Sequence, residues 1–210
     1  MKRSITMAGV VCLLALTAAA QDVPREEVFL GYTYVRFSSS FQAPSFSMNG
    51  GGGQFVYNFN HWLGGVADLG AIHNGAIPGN SLDTTLFNFL FGPRFSFHMH
   101  RVVPFAQILW GGVYATGSRY EFIAPPLVVT NPNVPIDPAL VVNSRISTTQ
   151  TAFAMTVGGG IDIRITNHIS FRPLGVDYYM TRLSNFRFPG DNSQNNLRYT
   201  AGLNFNFGQQ

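Results

Sequence analysis

The stretch that decides the fold is Leu197-Arg198-Tyr199-Thr200-Ala201-Gly202-Leu203-Asn204-Phe205-Asn206-Phe207. Its odd positions are apolar or aromatic, and its even positions are polar or Gly. A period of two puts the odd set on one face of an extended strand and the even set on the other. In a soluble sandwich the apolar face would meet a core. In a membrane barrel it meets lipid, and the polar face lines the lumen. One strand does not separate these two. The number of strands and their connections do.

Working back from that segment, eight stretches read as strands: Glu26–Phe37, Gly50–Asn58, Leu63–His73, Asp83–Phe97, Val102–Thr116, Ser147–Ile165, Ile169–Arg182 and Asn196–Phe207. The connections alternate in length. Phe59–Trp62, His98–Arg101 and Thr166–His168 are tight turns. Ser38–Asn49, Asn74–Leu82, Gly117–Ile146 and Leu183–Asn195 are longer and rich in Pro, Ser, Asn and Gly. Short turns at one end and long loops at the other describe an all-β, eight-stranded antiparallel up-and-down barrel that crosses an outer membrane many times. Strands of about nine residues or more, tilted by roughly 45°, are long enough to span it.

The composition favours lipid outside. Charged residues are 11% of the chain, against about 25% for a soluble domain. Phe87, Phe89, Phe91, Phe95 and Phe97 share one parity, opposite Asn88, Gly92, Arg94 and Ser96. In the sixth strand Phe153, Met155, Val157, Ile161, Ile163 and Ile165 read as outward, and Ala154, Thr156, Gly158, Gly160, Asp162 and Arg164 as inward. Two aromatic girdles are expected. Trp62, Phe97, Phe105 and Phe207 would form one near the short turns, and Tyr34, Trp110, Tyr114 and Tyr178 the other toward the loops.

The N-terminus has the layout of an export signal. Lys2 and Arg3 precede an apolar run from Met7 to Leu16, and Ala18-Ala19-Ala20 offers a cleavage site before Gln21. The expected organisation is a signal peptide at 1–20 and a barrel domain at 21–210. Removing the signal takes away Cys12 and Lys2, the sole Cys and Lys of the chain. No disulfide, thiol nucleophile, Cys–zinc site or lysine nucleophile then remains. The Arg residues are scattered, so a nucleic-acid partner is excluded.

The segment Thr200-Ala201-Gly202-Leu203-Asn204-Phe205-Asn206-Phe207 resembles the C-terminal assembly signal of bacterial outer-membrane barrels, with Thr200, Gly202, Phe205 and Phe207 at its key positions. Gly50–Gly53, Asn58-Phe59-Asn60-His61-Trp62, Phe91-Gly92-Pro93-Arg94-Phe95 and Val176-Asp177-Tyr178 resemble the outer-membrane β-barrel domain family, related to the OmpA transmembrane domain and OmpX-like barrels. The resemblance covers nearly all of Glu26–Phe207. It implies a monomeric, non-enzymatic envelope protein without a cofactor. Its implied partners are outer-membrane lipid, lipopolysaccharide and the barrel-assembly machinery.

Asp68, Arg94, Asp162, Asp177 and Arg198 fall on polar strand faces and are expected to pair as a lumen charge network. A buried charge is tolerated when it is paired and hydrogen-bonded. Asp68 faces Arg94 on neighbouring strands a few residues above short turns. Asp177 and Arg198 lie at matching heights on the last two strands. Arg172 has the wrong parity relative to Asp177. Either a bulge at Pro173 reverses it toward Asp162, or its side chain snorkels to headgroups. The histidines at 61, 98, 100 and 168 sit in tight turns and read as solvated interfacial residues. They complete no closed metal site. His73 with Ser81 and Asp83 is the one grouping with the residue types of a hydrolase. A passive pore and a lipid A-modifying enzyme are the competing functions.

Overall fold

The computed structural model describes residues 23–38, 45–77, 82–123, 142–183 and 193–208, with the side chains of 76, 77, 82, 119–123 and 142–144 left aside. The signal segment 1–20, Ser81 and the centre of the Pro-rich connection lie outside the described residues. The strands are β1 (Glu26–Phe37), β2 (Phe46–Asn58), β3 (Leu63–Ile77), β4 (Leu82–Ser96), β5 (Val102–Ile123), β6 (Val142–Arg164), β7 (Ile169–Thr181) and β8 (Gln194–Phe207). Each pairs antiparallel with the next, and β1 pairs with β8 from Glu26↔Phe207 to Phe37↔Asn196, closing the barrel. Closure leaves no free sheet edge within the wall.

The alternation holds on the decisive strand. Leu197, Leu203 and Phe207 are exposed, while Arg198, Thr200, Asn204 and Asn206 are buried. It holds on β4 and β6 as well: Phe87, Phe89, Phe91, Phe153, Val157, Ile161 and Ile163 face out, and Asn88, Arg94, Ala154, Thr156 and Asp162 face in. A shell of exposed Phe, Leu and Ile around buried Asp and Arg inverts the usual soluble pattern and suits a hydrocarbon solvent.

Toward the loops the outward face turns polar along a line of paired residues. Tyr34, Asn49, His73, Thr85, Thr116 and Thr149 are successive partners across β1 to β6. From Glu26 to Arg36 along β1 the rise is about 33 Å at ~3.3 Å per residue. Tilted by roughly 45°, that is near the ~25 Å height of an outer-membrane apolar band.

The structure also departs from the sequence reading. β1 keeps the bounds read from the sequence and β7 ends one residue sooner, but the other strands run further toward the loops, most of all β5 and β6, which stay paired to Ile123↔Val142. Much of the stretch read as loop Gly117–Ile146 is therefore ladder. The added segments carry Tyr120, Phe122 and Ile123 on one side and Val142 and Ile146 on the other, β-branched and aromatic residues that are comfortable in an extended strand. Phe105 is not in a girdle. It points inward and is 6% exposed. Trp62 keeps its place near the turns, stacked on Phe95 with ring centroids 5.9 Å apart.

Candidate functional site

The chemistry of the described residues is concentrated in the lumen. On β6 the even-numbered residues face inward, so Asp162 enters the lumen near the short turns. Arg94 reaches it from β4, with Nη2 donating to Asp162 Oδ2 at 2.8 Å. Arg172 reaches it from β7, with Nε donating to Oδ1 at 2.6 Å and Nη2 to Oδ2 at 3.0 Å. Both guanidiniums are fully buried. Arg172 is inside because the β7 ladder slips between Arg172 and Gly175, where three steps on β7 match two on β8. That extra residue, at Pro173, reverses the parity. The bulge is the correct one of the two readings of Arg172.

Further along the lumen Arg198 donates through Nε and Nη2 to Asp177 Oδ2 at 2.9 and 2.8 Å. Its Nη1 donates to Asp68 Oδ1 at 3.1 Å. Asp68 also accepts from Gln54 at 2.7 Å and Asn88 at 2.5 Å. Gln54 in turn accepts from Arg172 Nη1 at 2.8 Å, joining the two halves into one network. The expected pair Asp177–Arg198 is present. The expected pair Asp68–Arg94 is not. Asp68 is level with Leu90, whereas Arg94 is level with Gly64, nearer the turn. Each then finds its partner across the lumen and not beside it in the wall.

Sequence reasoning missed Glu27. It is 3% exposed, accepts from Asn58 and Asn204 at 2.8 Å each, and approaches Arg94 Nη1 at 3.7 Å. The signal was available, because Glu27 shares parity with inward Thr33 on β1. It was hidden by Phe29, Val35 and Phe37, which are inward and apolar. The Arg94 and Arg172 guanidiniums lie 3.8 and 4.4 Å from the Phe105 ring centroid, and Arg172 lies 4.0 Å from that of Phe29. These aromatic faces meet the cations where carboxylates do not.

The remaining lumen is filled by an apolar cluster that includes Val35, Met48, Val56, Leu90, Leu109 and Val113. At its loop end Phe37 stacks on Phe46, with centroids 4.9 Å apart. The inward glycines make room for the network. A Cβ on Gly158 would lie 2.5 Å from Asp177 Oδ1.

At the short-turn end a recess of about 10 Å³ is lined by Pro24, Glu27, His98, Asp162, Asn204 and Asn206, among others. His98 is not solvated as expected. It is 5% exposed, and Nδ1 donates to the His61 carbonyl at 3.0 Å. Burial pushes its imidazole below the ordinary value, against the pull of the Glu27 carboxylate.

The assembly-signal residues occupy both faces of β8. Thr200 is buried, Gly202 faces Gly31 in the ladder, Phe205 is half-buried and Phe207 lies exposed at the short-turn rim. On the outer rim, His73 Nδ1 is 3.0 Å from Thr85 Oγ1 and 3.5 Å from Asp83 Oδ1. One ring nitrogen faces both groups. A hydrolytic triad needs the carboxylate on one nitrogen and the nucleophile on the other. Among the described residues no group of three or more His, Cys, Asp or Glu is placed to hold a metal ion.

A model of the outer membrane protein β-barrel domain family matches residues 6–208. Among solved structures, Neisserial surface protein A (NspA) is similar with a TM-score of 0.58 and 15% identity, over 87% of this chain and 97% of that one. Ail, the attachment invasion locus protein of Yersinia pestis, is similar with a TM-score of 0.53 and 14% identity, over 87% of this chain and 100% of that one. At such identities the likeness is one of fold. No curated protein sequence matches the chain. The family match runs nearly end to end, and the closed eight-stranded ladder is the architecture it calls for: the chain belongs to the outer membrane protein β-barrel domain family.

Proposed function

We propose that this protein is a non-enzymatic, monomeric barrel of the bacterial outer membrane that acts through what it presents at the cell surface. Its short turns and both termini face the periplasm. Thr200, Gly202, Phe205 and Phe207 serve the barrel-assembly machinery, and lipid and lipopolysaccharide surround the wall. The observation that carries the surface role is the β5–β6 ribbon. Among the described residues, β4 is paired with β5 as far as Ser118, and β7 with β6 from Ala154. Beyond them the two strands continue as a pair to Ile123 and Val142, roughly 15–20 Å further along the strand. A ribbon raised above its neighbours is a contact surface, and Ail, with the same fold, is named for attachment. The packed lumen, with Arg94, Arg172, Leu90 and Leu109 all wholly buried, supports a closed barrel over a passive pore.

The test compares the full mature protein with a variant in which 119–146 is replaced by a short turn. Cells carrying each are scored for attachment to a protein-coated surface, and each purified protein for planar-bilayer conductance. The expected result is attachment that depends on the ribbon and no conductance steps from the intact barrel. Steady conductance by the intact protein, or attachment indifferent to the ribbon, overturns the reading.

A further inference from the structure

The lumen charges are all engaged with one another, whereas outward arginines rest on hydroxyls: Arg145 Nη2 donates to Ser118 Oγ at 2.8 Å on the ribbon, and Arg36 makes two such bonds beside the wall. Arg36 lies on the outward face of β1 at its loop end, level with Ser47 on β2. Its Nη1 donates to Ser47 Oγ at 3.1 Å and its Nη2 to Ser45 Oγ at 2.6 Å. Tyr34 Oη is 2.8 Å from the same Ser47 hydroxyl. Hydroxyls fix the guanidinium without neutralising it, and no carboxylate lies within ion-pair distance of it among the described residues. About three of its five N–H donors stay available. An Arg on the outward face is tolerable only near the membrane–water interface, and the polar line through Tyr34 and Asn49 puts Arg36 there.

Below it on β2 the outward residues are Asn49, Gly51 and Gly53. A Cβ on Gly51 would meet nothing nearer than the Gly31 carbonyl oxygen at 3.6 Å, so the surface there is open, while one on Gly53 would come within 3.1 Å of Leu30 Cδ2, where the furrow narrows. Leu30 and Tyr32 on β1 and Leu69 on β3 flank this furrow, exposed by 56%, 55% and 59%. Tyr32 donates to Asn49 Oδ1 at 2.6 Å, a bond across the β1–β2 seam at the polar end of the furrow. From Ser47 to Gly51 the distance along the strand is roughly 13 Å, about the reach from a lipid phosphate to the start of its acyl chains.

We propose that Arg36, Ser45 and Ser47 bind the phosphate of an outer-leaflet lipid whose acyl chain lies in the Gly51–Gly53 furrow. The proposal rests on the membrane reading above. Guanidinium recognises phosphate through paired N–H donors, and the furrow selects a lipid over free phosphate.

The test uses the mature protein refolded into phosphatidylcholine vesicles containing a minor fraction of phosphatidic acid, then extracted for native mass spectrometry. A mobility shift between unheated and heated samples first shows that each variant has inserted. Loss of that shift in the unaltered protein would count against the membrane reading and not against this site. Arg36→Gln is expected to lower retained phosphatidic acid about tenfold, the worth of one charge-assisted contact. The double change Ser45→Ala with Ser47→Ala should lower it several-fold without removing a charge. Gly51→Leu, which fills the furrow, should do the same. Arg145→Gln, on the ribbon, should leave retention unchanged. Inorganic phosphate should not displace the lipid. Retention unaffected by Arg36→Gln, equal loss with Arg145→Gln, indifference to Gly51→Leu, or displacement by phosphate would each overturn the proposal.

Discussion

A single inward arginine shows how much depends on partners. Arg198 holds Asp177 and Asp68 together at 2.8 and 3.1 Å in a site only 3% exposed. Arg198→Ala strands two carboxylates and is expected to cost on the order of 3 kcal/mol in urea unfolding from vesicles. Adding Asp177→Asn should recover part of the loss, and no recovery would mean the pair is not coupled. Thr156 is the opposite case. It is wholly buried, and its hydroxyl has no hydrogen-bond partner among the described residues. Thr156→Val keeps the shape and should be neutral or slightly stabilising in the same titration. His98 gives a pH dependence. Its folded pKa is depressed by burial, so its neutral form is the one that fits. Unfolding stability should be unaffected by His98 above about pH 7 and should decline as pH falls below the unfolded value of ~6.5. His98→Asn should flatten that decline between pH 7 and 5. An unchanged slope would show that His98 does not carry it.

Strand by strand, the sequence was legible wherever one face was polar. On β8 and β6 the inward set is Asn, Thr, Gly, Ala, Asp and Arg, and the faces fall out of the alternation directly. On β1 and β5 the lumen side is itself apolar, with Phe29, Val35, Phe37, Phe105, Leu109 and Val113. Period two then has no chemical contrast to show, which is why Phe105 read as a girdle residue. Partner choice was hidden for a different reason. Arg94–Asp162 and Arg198–Asp68 bridge the lumen, 68 and 130 residues apart, at a height set by strand tilt and ladder register. The β7 bulge was legible because Pro173 cannot donate to the ladder. Deleting Pro173 takes out the extra residue and leaves Arg172 and Asp177 on one parity, so both should still face the lumen. Arg172→Ala, which removes a partner of Asp162, is the change expected to cost about 3 kcal/mol or more, as for breaking a buried pair. Stability equal to the unaltered protein after Arg172→Ala would mean that the contact with Asp162 does not hold the wall there.

For the whole molecule, the wall separates two solvents, and substitutions should reveal which side is which. Phe89 is outward, 40% exposed, near the middle of β4. Phe89→Arg should lower stability by ~2–4 kcal/mol in vesicles, and the penalty should respond to bilayer thickness. Neutrality in both thin and thick bilayers would remove the main support for the lipid-facing assignment. The network of arginines and acids also has a kinetic meaning. Many of its bonds join neighbouring strands, but those that tie β8 to β3, β7 to β2 and β6 to β4 join strands that are not neighbours and wait for the wall to curl round. Contacts so distant along the chain are slow to make. A strand docked one residue out of register would turn its own inward charges to hydrocarbon and leave their partners in the lumen without a counter-charge. The polar interior thus acts as a proofreading step for closure: it adds little to a correct barrel beyond what apolar packing would give, and it makes an incorrect one too costly to persist.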